Sequence, residues 1–110
     1  MGRSKIETYL GFCIRCGKIV FGVDELENQR KGVFLILADE GLGNSSKKIV
    51  EAARERLNVP LLWAKEETLG GLVHRPAVKV AAIKDKNLAA AIVTAAEGES
   101  QFKFYSGGNN

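Results

Sequence analysis

Three places in this chain carry residue types whose spacing could do chemistry. Cys13-Ile14-Arg15-Cys16 sets two thiols at C-x-x-C spacing, the pattern of a redox pair or of half a zinc site. A redox pair sits at a helix start just after a strand, where the dipole lowers the thiol pKa; this pair falls near the end of a helical pattern. A closed zinc site wants four ligands, and the chain holds only 2 Cys and 1 His, His74. Two buried, reduced thiols are therefore expected. The run Asp39-Glu40-Gly41-Leu42-Gly43-Asn44-Ser45-Ser46-Lys47 follows a strand pattern and leads into a helix, as a phosphate-binding loop would. It lacks the Gly-Lys-Ser/Thr ending of a P-loop, and Ser46 replaces the third glycine of a dinucleotide fingerprint. His74 has no nucleophile, base and orienting group to join, and reads as a surface-loop histidine. No catalytic residue, metal ligand or cofactor site is expected, and the chain reads as a binding protein, not an enzyme.

Those residues need a frame. At 110 residues, with 45% hydrophobic and 26% charged side chains, the chain is long enough for one domain with a real core. A single domain over residues 1 to 97 is expected, followed by a polar, Gly-rich, flexible tail from 98 to 110. The net charge of +3 and pI near 9.0 tilt the surface only slightly toward anionic partners. No apolar run approaches the ~20 residues of a membrane helix, and Met1-Gly2-Arg3-Ser4-Lys5 leads into an amphipathic segment. A cytoplasmic protein without membrane contact is expected. Met1-Gly2 is not a myristoylation signal, because Ile6 stands where that motif wants Ser or Thr.

Ser4-x-x-Glu7 reads as a capping box, and Ile6, Leu10, Cys13 and Ile14 recur on one helical face up to about Arg15. Gly17 can end that helix, and Ile19-Val20-Phe21 reads as a brief strand closed by Gly22. Val23 to Lys31 is a second helix, with acids in its first turn and bases in its last. Val33 to Ala38 is a strand buried on both faces. Asn44 or Ser45 can cap a helix that ends at Asn58 and Pro60. Leu61 to Ala64 is a strand in which Trp63 reads as core, Glu66-Glu67-Thr68 opens a helical turn, Val78 to Ile83 is a strand, and Asp85 caps a helix through Ala96. Alternating helices and strands predict a three-layer α/β/α sandwich on one four-stranded sheet, mixed but largely parallel.

Several segments in this order carry a resemblance. Gly17-Lys18-Ile19-Val20-Phe21-Gly22, Asp24-Glu25 opening a helix, and a buried strand into Ala38-Asp39-Glu40 are followed by Asn44-x-x-Lys47-Lys48, Asn58-Val59-Pro60, Leu69-Gly70 and Val80-Ala81-Ala82-Ile83. Over roughly residues 6 to 96 the chain resembles the L-seven-Ae ribosomal-protein family, with spacing similar to its small bacterial ribosome-associated members.

The resemblance implies binding of a kink-turn, a sharply bent internal loop of structured, possibly ribosomal RNA. Specific RNA recognition targets such irregular loops because the deep major groove of an A-form helix excludes side chains. On this reading Gly17 and Gly22 bracket the strand that presents Lys18, Gly22 admits a phosphate near the helix start, and Glu25 accepts hydrogen bonds from a guanine edge. Asn44, Lys47 and Lys48 position the backbone, although the two lysines can equally be a solvated helix face. His74, Arg75 and Pro76 belong to a loop pressed against the kinked nucleotides. Asp24 and Asn28 stand where the family's strongest binders carry Asn and Lys. An ionised Asp24 cannot donate a hydrogen bond, and Asn28 removes a cation. The alternative is a protein-interaction or regulatory module on the same fold. A monomer is expected, with Ile19 to Phe21 as an edge strand another copy can reach.

Overall fold

The computed structural model describes residues 4–99 and 102–105. The Met1-Gly2 reading and residues 100–101 and 106–110 of the expected tail lie outside the described residues. Ten elements follow in order: α1 (Lys5–Cys16), β1 (Ile19–Phe21), α2 (Val23–Asn28), β2 (Leu35–Asp39), α3 (Asn44–Leu57), β3 (Leu61–Ala64), α4 (Thr68–Val73), β4 (Val80–Ile83), α5 (Lys86–Ala96) and β5 (Phe102–Tyr105).

Alternation along the strands builds two cores. Leu35, Leu37, Leu62, Ala64, Ala81 and Ile83 face α1, α4 and α5, where they meet Ile6, Leu10, Leu69 and Ile92. Their neighbours Ile36, Ala38, Leu61, Trp63, Val80 and Ala82 face α2 and α3, meeting Leu26, Val50 and Ala53. Period-two side-chain alternation thus supplies both faces of one sheet, and the protein is an α/β/α sandwich. β2, buried at every position, is its centre.

The sheet is mixed, in the order β1-β4-β2-β3-β5. Only β2 and β3 run parallel; β4 is antiparallel to both β1 and β2. The expectation of a largely parallel sheet is corrected here. The α4–β4 connection turns the chain back, so β4 enters between β1 and β2 pointing the other way. Alternating element types do not reveal that reversal.

β5 is the second correction. It lies in the tail expected to be flexible, yet pairs antiparallel with β3, placing Phe102 opposite Ala64 and Tyr105 opposite Leu61. Phe102, Phe104 and Tyr105 are strand-favouring residues, and they cover an edge of β3 that would otherwise leave backbone groups unpaired. Phe102 is buried in the α1–α4–α5 core. The fold therefore holds the four expected strands plus one more, and continues past residue 97.

Helix ends mostly follow their caps. Ser4 Oγ accepts the Ile6 amide at 3.1 Å. Gly17, at φ 69°, closes α1, with the Lys18 amide reaching Cys13 O at 2.9 Å in a Schellman arrangement. Asp85 Oδ1 accepts the Leu88 amide at 2.8 Å to start α5. Two helix boundaries differ from expectation, and among the strands β2 spans Leu35–Asp39 in place of Val33 to Ala38 and β4 begins at Val80 in place of Val78. Gly43, not Asn44 or Ser45, is the N-cap of α3, with no side-chain cap bond, so the Asn44 amide is not spent on capping. α2 stops at Asn28, three residues short of Lys31, because Gln29 is extended. Side chains help satisfy its last carbonyls: Gln29 Nε2 donates to Glu25 O, Arg30 to Glu27 O, and Arg56 to Leu26 O, which also accepts the Gln29 backbone amide.

Among the described residues no helix is long and apolar enough to cross a membrane. Cys13 is buried as expected, whereas Cys16 is exposed, correcting the reading of two buried thiols. At about 100° per residue Cys16 lies roughly 90° round the helix from the centre of the face formed by Ile6, Leu10 and Cys13, and it is the last residue of α1.

Candidate nucleic-acid interface

The strand register decides which sequence-distant residues share a surface. Phe21 pairs with Ala81, so Gly22 sits beside Val80, and its amide donates to Val80 O at 2.9 Å. Ala38 pairs with Val80, and Ala64 with Asp39. The C-terminal ends of β1, β2 and β3 and the N-terminal end of β4 therefore lie together. Four connections emerge at this end of the sheet: Gly22 into α2, the 40–43 loop into α3, the 65–67 turn into α4, and the 74–79 loop into β4.

Most residues expected to bind are gathered here. Gly22, at φ 96° and ψ 155°, adopts a backbone conformation that essentially only glycine occupies, and from it α2 presents Asp24 and Glu25, both exposed. Asn44 and Lys48 are exposed at the start of α3. Lys47 is half-buried, its Nζ 5.8 Å from the centroid of Trp63, itself buried as expected. Arg75 and Pro76 are exposed, and the Arg75 guanidinium lies 4.7 Å from the ring centre of Phe21, the residue before Gly22. That cation–π contact joins the 74–79 loop to the β1–α2 junction.

Other expected residues are placed elsewhere. Gly17 and Lys18 precede β1 at its opposite end, about 10 Å away along three residues of strand. There Lys18 O accepts the Lys84 amide. Asn28, exposed, closes the far end of α2. His74, the C-cap of α4 at φ 60°, is exposed but its Nε2 meets Glu7 Oε2 at 2.7 Å, which ties it to α1.

Packing beneath this end is close. Asp39, 1% exposed, is the buried charged residue of the core. Its Oδ1 accepts the Gly41 amide at 2.6 Å and its Oδ2 the Glu67 amide at 2.8 Å, so one carboxylate fixes the loops after β2 and β3. Glu67 adopts φ 69°, uncommon for a non-glycine residue. At Gly70, a Cβ would meet Pro76 O at 2.8 Å and Arg75 O at 3.1 Å; only a bare Cα lets the 75–76 backbone rest on α4. None of this was visible as a site in the sequence. In the sequence Asp39 was legible only as the first residue of the run weighed as a phosphate-binding loop and as part of the resemblance, because the partners of its carboxylate lie on two different loops.

Lys65 and Lys79, both exposed, also flank strand ends at this surface. Sequence reading missed them for want of the topology. Acidic neighbours Glu40, Glu66 and Glu67 interleave with these cations, so the face is mixed in sign, with cationic spots at Lys47–Lys48 and Arg75. Among the described residues no cluster of three or more His, Cys, Asp or Glu side chains is arranged to hold a metal. Burial, reinforced by Asp85 and Cys16, pushes the Cys13 thiol from 9.0 up to about 11, the opposite of activation.

No protein-family model matches the sequence, and no curated protein matches it. Among solved structures the chain is similar to a protein described as having unknown function from Bacillus halodurans C, with a TM-score of 0.71 and 18% identity over 86% of this chain and 99% of that one. That likeness extends to the fold.

Proposed function

We propose that this protein binds a kink-turn or similarly bent structured RNA through the sheet end formed by the β1–α2, β2–α3 and α4–β4 connections. It acts as a cytoplasmic ribosomal or ribosome-associated factor and catalyses no reaction. What supports the reading is the convergence at one sheet end of exposed residues far apart in sequence: Glu25, Asn44, Lys48 and Arg75. Glu25 offers a carboxylate to a base edge, Asn44 an uncommitted amide, and Lys47, Lys48 and Arg75 meet phosphates on either side of the bend. Loops held by Asp39 and by the Gly70–Pro76 contact form a surface set before RNA arrives, which suits recognition of shape.

The test compares a standard kink-turn RNA with a matched duplex lacking the bend across a salt series. Preference for the bent RNA is expected, with a log–log salt slope of about −2 to −3 for three phosphate contacts. Lys48→Ala should flatten that slope by about 1, whereas Glu25→Ala should reduce the preference itself. Lys18→Ala, at the other end of β1, reports whether the RNA extends that far. Equal, weak binding to both RNAs would refute the proposal and favour a protein-interaction module, for which the mixed-sign face around Asp24, Glu40 and Glu66 is suited.

A further inference from the structure

Beside the proposed RNA face, α1 and α4 flank a groove of about 190 Å³ lined by Ile14, Leu72, Gly11, Thr8, Arg15, Glu7 and His74. It is small against the roughly 300–1,000 Å³ of pockets that hold a drug-sized ligand, a size suited to one planar ring system. Ile14 and Leu72 are apolar walls, and Gly11 contributes no side chain. The carboxylate at one end is paired, Glu7 Oε2 lying 2.7 Å from His74 Nε2. Arg15 folds back over α1, its Nη1 only 3.7 Å from where a Gly11 Cβ would stand and its guanidinium 4.9 Å from the Phe12 ring centre. Phe12, 42% exposed, is one of two large hydrophobic side chains left open to solvent among the described residues. An apolar slot and a guanidinium at its rim are the parts that hold an unstacked base and its phosphate; Phe12 stands outside the lining, against that guanidinium. His74 links this groove to the RNA face, because the next residue, Arg75, rests on Phe21.

We infer that the α1–α4 groove binds a single unstacked nucleotide, its base between Ile14 and Leu72 and its phosphate on Arg15, contributed by a single-stranded extension of the RNA held at the sheet end. The inference rests on the RNA-binding reading for the source of the nucleotide, not for the chemistry of the groove. A strand leaving the sheet end past Arg75 and His74 enters the groove directly. The extension therefore adds affinity without changing recognition of the bend.

The experiment measures binding of the full chain to a kink-turn RNA with blunt ends and to the same RNA carrying a short single-stranded adenosine extension, with free adenosine monophosphate titrated by amide NMR as a separate arm. The extension should raise affinity about fivefold or more, the scale of burying roughly 40 Å² of base surface against apolar side chains. Gly11→Leu, which fills the groove at a helical position with no left-handed requirement, and Arg15→Ala should each abolish that gain and leave blunt-RNA affinity unchanged. If blunt RNA binds well and the extension adds nothing, the groove inference is overturned while the RNA reading stands. If neither RNA binds but the monophosphate shifts the Gly11, Leu72 and His74 amides, the groove takes a free nucleotide and the RNA source is overturned. If neither RNA binds and no amide shifts, both fail.

Discussion

Gly70 and Gly71 are adjacent in α4, and substituting each by alanine should move stability in opposite directions. Both substitutions gain helix propensity, worth roughly 0.8–1 kcal/mol for Gly to Ala in a helix interior. They differ in what the new methyl meets. At Gly71 nothing lies within 4 Å, whereas at Gly70 it would stand 2.8 Å from Pro76 O and 3.1 Å from both Arg75 O and Pro76 C. Those are backbone atoms and cannot rotate aside, so the 75–76 segment must lift, at a cost of roughly 1–3 kcal/mol typical of overpacking. Gly71→Ala should therefore be stabilised by up to about 1 kcal/mol, and Gly70→Ala destabilised by about 1 kcal/mol once the propensity gain is subtracted. Because the gain is common to both, the difference between the variants, about 1–3 kcal/mol, isolates the close approach. Thermal unfolding resolves it, since each kcal/mol moves Tm by roughly 4–8 °C in a domain of this size. Lifting 75–76 also carries Arg75 off Phe21, so Gly70→Ala should bind bent RNA severalfold more weakly and Gly71→Ala should bind like the parent. Equal Tm shifts for the two variants would refute the claim that Gly70 seats this loop.

Asp39→Asn keeps the shape of the side chain but turns one acceptor into a donor facing an amide N–H. A loss of about 2–4 kcal/mol is expected in urea unfolding, from a charged hydrogen bond removed and a buried donor left unpaired; a loss under 0.5 kcal/mol would mean that the two loops do not depend on this carboxylate. The two thiols should separate chemically: iodoacetamide at neutral pH is expected to label exposed Cys16 in the native protein and Cys13 only after denaturation. Because the folded state raises the Cys13 pKa from 9.0 to about 11, the associated stability is fully present below pH 9 and is lost as pH rises through about 11. That loss amounts to about 2–3 kcal/mol. Cys13→Ala should remove this part of the alkaline slope, and an unchanged slope would assign it to other groups.

Local signals located most elements in the sequence. Ser4, Gly17, Asn58 and Asp85 mark helix ends through side-chain caps or left-handed residues, and these depend on neighbours a few positions away. β3 was legible to the residue because Pro60 and the change in composition after Ala64 bound it. The continuous apolar run of β2 already implied a strand buried on both faces. Signals failed where the deciding partner was remote. α2 is shorter than its charge pattern suggests because Gln29 turns extended, where Arg56, on another helix, donates to the carbonyls of Leu26 and Gln29. β5 forms against the edge of β3, and a short aromatic run among polar residues does not disclose the edge that will accept it.

The candidate surface divides along the same line. Residue types at Glu25, Asn44, Lys47, Lys48 and Arg75 are properties of the sequence, as are the absence of a P-loop and the lack of ligands for a closed zinc site. Which of them share a surface was decided by the tertiary structure, because the antiparallel entry of β4 between β1 and β2 sets Arg75 against Phe21 and leaves Lys18 at the other end of the strand. His74, the C-cap of α4, turns its side chain toward α1 for an equally non-local reason, its hydrogen bond to Glu7. The sequence determines which chemical groups are available and where helices and strands begin; the pairing of strands and the closing of loops determine which of those groups a ligand can touch at once, because both rest on contacts between residues that the chain's local order does not bring together.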